Sequence, residues 1–200
     1  MKGNKLYIIG WFILLLGMGC SVSLSSEDYL AYSNNPERGL IKEKSLNSLH
    51  LSMQYRPVDY IIAQESRGEA ITQEAYKKRK SELETSQYFK LRIKSESSPY
   101  IMEHNLVSLD DVEIRRQELL YGLRPRVKMV CGGDTLACAI HHVEETYGLA
   151  PFVDINLVFP SAPEGCDPQI IMEEFGFQTG TIKFKFNQEE ITHLPSLKLN

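Results

Sequence analysis

Phe89-Lys90-Leu91-Arg92-Ile93-Lys94 is the stretch that decides the fold. Apolar and basic side chains alternate without a break, and a strand sends successive side chains to opposite faces. Phe89, Leu91 and Ile93 are therefore expected to face a core, and Lys90, Arg92 and Lys94 to face water. A strand wet on one side belongs to an antiparallel sheet with one covered face. The same alternation precedes it, with Leu49, Leu51, Met53 and Tyr55 set against His50, Ser52 and Gln54. It returns in Phe152 to Phe159, where Val153, Ile155, Leu157 and Phe159 point inward. Ile182, Phe184 and Phe186 alternate with Lys183 and Lys185 in a strand over 181–186, and 169–173 is its expected partner. Val127 to Cys131 and Leu136 to Val143 read as a hairpin.

Helices enter between these strands. Pro57, tolerated in a first turn, opens one through Val58 to Ala63. Thr72 caps another over Ile71 to Glu84, with Ala75, Tyr76 and Leu83 as its apolar stripe. Its basic run, Lys77 to Lys80, has Glu74, Glu82 and Glu84 at ion-pair spacing, so it reads as a solvated face. Asp110, with Glu113 three residues on, starts a helix to Tyr121 that Gly122 ends, and Asn187 with Glu190 caps a last short one. The fold class is α+β and β-rich: an antiparallel β-sandwich-like domain with a few short helices, spanning residues 39–200.

The N-terminus speaks to location. Lys2 and Lys5 precede an apolar run from Leu6 to Met18 that closes on Gly19-Cys20. A basic start, an apolar middle and a small residue at the cut make an export signal over residues 1–19. A cysteine after the cut resembles the bacterial lipoprotein signal, although Leu16 stands one place earlier than that pattern places its leucine. The resemblance implies that Cys20 carries the lipid and anchors the chain, and Ser21 after it implies the outer membrane, with the face left open. An uncleaved span and an ordinary secretory signal are the rival readings; the apolar run is shorter than the ~20 residues a span needs. Residues 20–38, rich in serine and without periodicity, read as a flexible tether. Residues 1–19 hold two lysines and no acid, so the remainder sets 20 basic against 26 acidic side chains, a net −6. An acidic body is a poor partner for nucleic acid.

The chain carries few groups in a catalytic pattern. His141-His142-Val143-Glu144-Glu145 lacks the spacing of a helical zinc motif, and on a strand His141 and His142 point to opposite faces. His142 and Glu144 share a face and are the best local candidates for a metal-dependent hydrolase, the rival to a non-enzymatic role. No G-x-S-x-G, P-loop or G-x-G-x-x-G pattern occurs. Cys131, Cys138 and Cys166 read as buried thiols, with Cys131 and Cys138 as the tempting pair. With Gly132 to Thr135 as a hairpin loop, Cys131 faces Leu136 and those two thiols are only diagonal neighbours. The residues call for no cofactor.

Asn35 to Lys42, Gln54-Tyr55-Arg56-Pro57 with Tyr60, Tyr88 to Ile93, Tyr147 to Pro151 and Gly180 to Phe184 together resemble uncharacterised bacterial lipoproteins. The resemblance implies a shared fold and export route and brings no catalytic residue with it. The expected role is non-enzymatic: a domain anchored to the membrane through Cys20 that binds or supports another envelope protein, as an accessory of a secretion or surface-assembly system. The alternative to that is a receptor for a glycan or other small ligand, for which exposed tyrosines are the sign.

Overall fold

The computed structural model describes residues 22–144, 150–163 and 165–200. The export signal over 1–19 and the lipidation site Cys20 lie outside the described residues. In chain order the elements are β1 (Ser23–Leu24), α1 (Ser26–Ser33), β2 (Ile41–Leu46), β3 (Leu49–Arg56), α2 (Val58–Ser66), α3 (Gln73–Leu83), β4 (Ser86–Ser95) and α4 (Leu109–Gln117). They continue with β5 (Val127–Cys131), β6 (Asp134–Ala137), β7 (Ile140–Glu144), β8 (Phe152–Pro160), β9 (Gln169–Met172), β10 (Ile182–Lys185), α5 (Gln188–Thr192) and β11 (Ser196–Leu197).

A five-stranded sheet in the order β2-β3-β4-β8-β7 faces a four-stranded one in the order β10-β9-β5-β6, and every pairing in both is antiparallel. The α+β, β-rich class is thus as the alternation requires. Register rows carry the core across the sheets. Met53, Leu91 and Ile155 are opposed in the first sheet, and Met129, Ile170 and Phe184 in the second. All six are 0–1 % exposed and belong to one cluster. Phe89 reaches across to Phe186, ring centroids 5.4 Å apart, and meets Phe159 edge-on at 5.8 Å.

The expected hairpin is tighter and shorter than its sequence suggests. Gly132 and Gly133, at φ 60° and 101°, make a two-residue turn that opposes Cys131 to Asp134. The strand expected over Leu136 to Val143 breaks at Cys138-Ala139: β6 stays in the smaller sheet and β7 joins the larger. The cysteine expectation is also corrected. Cys131 is bonded to Cys166 with Cα atoms 5.6 Å apart, and only Cys138 is a free, buried thiol among the described residues. The bond ties the end of β5 to the loop entering β9, two strands already paired in the sheet.

The helices follow their caps. Thr72 Oγ1 accepts from the Ala75 amide at the start of α3, and Asn187 and Glu190 form the reciprocal box at α5. At α4 the cap is Ser108, not Asp110, and the helix passes into a π turn over Glu118–Gly122.

The tether expected over 20–38 is instead folded from Ser23 onward. Ser25 caps α1, Tyr29 is 1 % exposed, and β1 runs parallel to β11. Tyr29 joins Tyr60, Ile62, Ala63, Ile71, Leu83 and Leu197 in a second core, against which Tyr88 packs. Tyr88 lies on the β4 face opposite Phe89, so α1, α2 and α3 form a third layer on the outer face of the larger sheet. The serines conceal this layer because a cap and one buried tyrosine hold α1, without an apolar stripe.

Candidate functional site

The helical layer covers only part of that outer face, and where it stops a cleft of about 370 Å³ opens. Its floor is the polar side of β3 and β4: Ser52, Gln54, Arg56, Lys90 and Arg92. Its wall is Asn34 at the end of α1 with Tyr60 and Gln64 of α2, and Ile41 stands at the β2 edge. Strand alternation alone puts these floor residues together, since each sits one position from a core residue.

The charges are unevenly matched. Asp154, opposite Arg92 on β8, is 4 % exposed and takes both Lys90 and Arg92 at 2.7 Å. Glu144 lies beside it, 3.0 Å from Lys90, and accepts from the Asn156 amide at 2.9 Å. Burial acts to raise both carboxyls, but the hydrogen bonds and charges of Arg92, Lys90 and Asn156 outweigh it and hold them below the usual carboxylate range.

Arg56 differs. Its Nη1 donates to the Asn156 side-chain oxygen at 3.3 Å and its Nε to that of Gln54 at 3.4 Å, both neutral. The guanidinium carbon lies 5.2 Å from the Tyr60 ring centroid, a cation–π contact. Among the described residues no carboxylate lies within ion-pair distance of it. Gln54 in turn donates to the Ser33 carbonyl at 3.2 Å and the Asn34 side chain at 2.9 Å, and the Tyr60 hydroxyl donates to the same Asn34 oxygen at 3.3 Å. A continuous chain of hydrogen bonds therefore runs from Asp154 and Glu144, through Asn156 and Arg56, to the end of α1.

His142 and Glu144 do share the outer face, His142 opposite Asn156, but Glu144 is engaged with Lys90. His141 points the other way and bonds the Leu120 carbonyl at 2.9 Å. Among the described residues no three His, Cys, Asp or Glu side chains gather where they could hold a metal ion. The basic run on α3 is a solvated face as expected, with Arg79 paired to Glu65 and Glu82. The exposed tyrosines, Tyr100 and Tyr121, do not line the cleft.

Alternation exposes the wet faces of β3 and β4 but does not join them to β8 across the sheet. The available signal was Asp154 and Asn156, two polar residues alternating with Val153, Ile155 and Leu157 in an otherwise apolar strand. No helix among the described residues is long and apolar enough to cross a membrane. No family model, no curated protein and no solved structure matches the chain.

Proposed function

We propose that this is a non-enzymatic, lipid-anchored protein of the outer membrane whose β-sandwich binds another envelope protein, as an accessory of a secretion or surface-assembly system. The observation that carries the binding role is the cleft, where Arg56 is held by neutral groups and the amides of Gln54 and Asn34 line the approach. A surface of this kind orients a partner through polar contacts while its own network keeps it rigid. The export signal supports the location, and so does the Cys131–Cys166 bond, since disulfides persist in oxidising compartments.

The fold changes how the anchor works. With the lipid on Cys20, three residues reach Ser23 of β1, a span of at most roughly 10 Å. The helical layer then sits near the bilayer surface, not at the end of a long leash. The test is membrane fractionation of the full chain and its Cys20→Ala variant. Release of the variant into the soluble fraction supports the anchor, and its retention in the membrane contradicts it.

A further inference from the structure

We propose that the cleft between α2 and the outer face of β3 and β4 is a carboxylate-binding site, built to take an acidic side chain of an extended peptide segment on Arg56. This deepens the envelope-protein reading and rests on it for the identity of the ligand as a peptide.

Arg56 has five N–H donors in a planar fork that matches a carboxylate. Two of them make long bonds, 3.3 and 3.4 Å, to neutral side-chain oxygens. The neighbouring cations are served differently: Arg92 is gripped by Asp154 through two bonds of 2.7 Å, and Lys90 is shared between Asp154 and Glu144. Among the described residues the cleft thus sets three cations against two acids, and the surplus charge sits on Arg56, the cation with free donors. Asp154 lies beneath the floor at 4 % exposure, so what faces the opening is mainly positive.

The fork is also held in place. The Tyr60 ring lies on one side, Asn156 and Gln54 fix two nitrogens, and Asn34 fixes Gln54. A cation fixed before its ligand arrives gives up little side-chain freedom on binding. The remaining lining suits a peptide. Ser52 and Gln64 offer groups that both donate and accept, as a backbone does. Tyr60 is 5 % exposed and so has no open ring face on which a sugar could stack.

The experiment is calorimetric titration of the full chain in non-ionic detergent. The probes are acetyl-Glu-Glu-Glu-amide, acetyl-Gln-Gln-Gln-amide, trigalacturonate and inorganic phosphate. The acidic tripeptide is expected to bind and the neutral one not. Arg56→Gln should weaken the acidic peptide by at least about tenfold, as loss of a charge-assisted hydrogen bond does, with Arg56→Lys intermediate. Gln64→Glu changes an exposed residue of the wall, keeps the fold, and should also weaken binding by adding a competing carboxylate. Lys183→Gln on the other sheet should leave affinity unchanged. Wild-type affinity retained in either Arg56→Gln or Gln64→Glu, or no binding by any probe, overturns the site. Tighter binding of trigalacturonate or phosphate than of the peptide overturns the peptide assignment. The anchor is read separately by fractionation, so failure of one does not imply failure of the other.

Discussion

Arg92 grips Asp154 with two prongs across the β4–β8 ladder, Nε on one carboxylate oxygen and Nη2 on the other, each at 2.7 Å. Lys90, one pleat away on the same face, reaches the same carboxylate at 2.7 Å. One almost fully buried acid on β8 thereby fixes two cations of β4, whereas Arg56 has no carboxylate partner among the described residues.

Asp154→Asn should therefore cost stability as well as disturb the cleft. Removing the acid leaves Lys90 and Arg92 facing each other beside Glu144. A loss of about 2–3 kcal/mol is expected, below the full cost of a buried ion because Arg92 is half exposed. Urea unfolding at neutral pH measures it, and a change under 0.5 kcal/mol contradicts the role given to Asp154.

The Cys131–Cys166 bond closes a loop of 35 residues. By chain entropy that is worth about 3–4 kcal/mol. Reduction, or Cys166→Ala, should lower the unfolding midpoint accordingly. In a Cys20→Ala chain, denatured without reductant, thiol titration should find one free group, Cys138. Three free thiols contradict the bond.

His104 is fully buried, and its two ring nitrogens are already satisfied. Nε2 donates to the Asn47 carbonyl at 3.1 Å, and Nδ1 accepts from the Ser95 hydroxyl at 2.9 Å. Burial first, and then the Arg115 charge, push its pKa below the ordinary 6.5 against the pull of that carbonyl. The unfolded chain then binds a proton that the folded chain refuses. Stability is full above pH 6.5, falls as the pH drops below it, and levels once His104 protonates in the fold. Unfolding midpoints between pH 5 and 8 should show this slope, and His104→Gln should flatten it. An unchanged slope in the variant removes His104 as its source.

Glu174 organises the loop between β9 and β10. One oxygen accepts from the amides of Phe175, Gly176, Phe177 and Gln178 at 2.8–3.0 Å, and the other from Gly180 at 2.8 Å. Burial opposes the charge, yet these bonds prevail and hold the carboxyl below its usual 4.5. Its contribution is present above that value and is lost as pH falls through the lowered pKa. Glu174→Gln should cost about 2–3 kcal/mol and loosen the loop, seen as faster amide exchange at 175–180. Unaltered exchange there contradicts it.

The central strands were legible because β3, β4 and β8 each bury one face, and a period of two has one reading in such a strand. The break at Cys138-Ala139 was not legible. Leu136 to Val143 keeps an apolar content that suits one strand, and only the packing of two sheets decides where the chain crosses between them. The layer from Ser23 to Ser33 was hidden by composition, since Tyr29 finds its partners in α2 and at Leu197 near the other end of the chain. The Cys131–Cys166 pair was missed for a related reason: β9 lies beside β5, and that adjacency cannot be read from either segment alone. The cleft was half legible. The polar faces of β3 and β4 were plain, but the asymmetry between Arg92 and Arg56 depends on which strand lies next to each.

Docking of an envelope protein in this cleft is open to a direct test. The direct measurement is in-cell photo-crosslinking of the full chain carrying benzoylphenylalanine at position 64, on the cleft wall. One defined envelope protein is predicted in the crosslink, lost when Arg56→Gln is added. A crosslink unaffected by Arg56→Gln, or none above that of a reporter placed at Lys183, would rule out docking at this cleft.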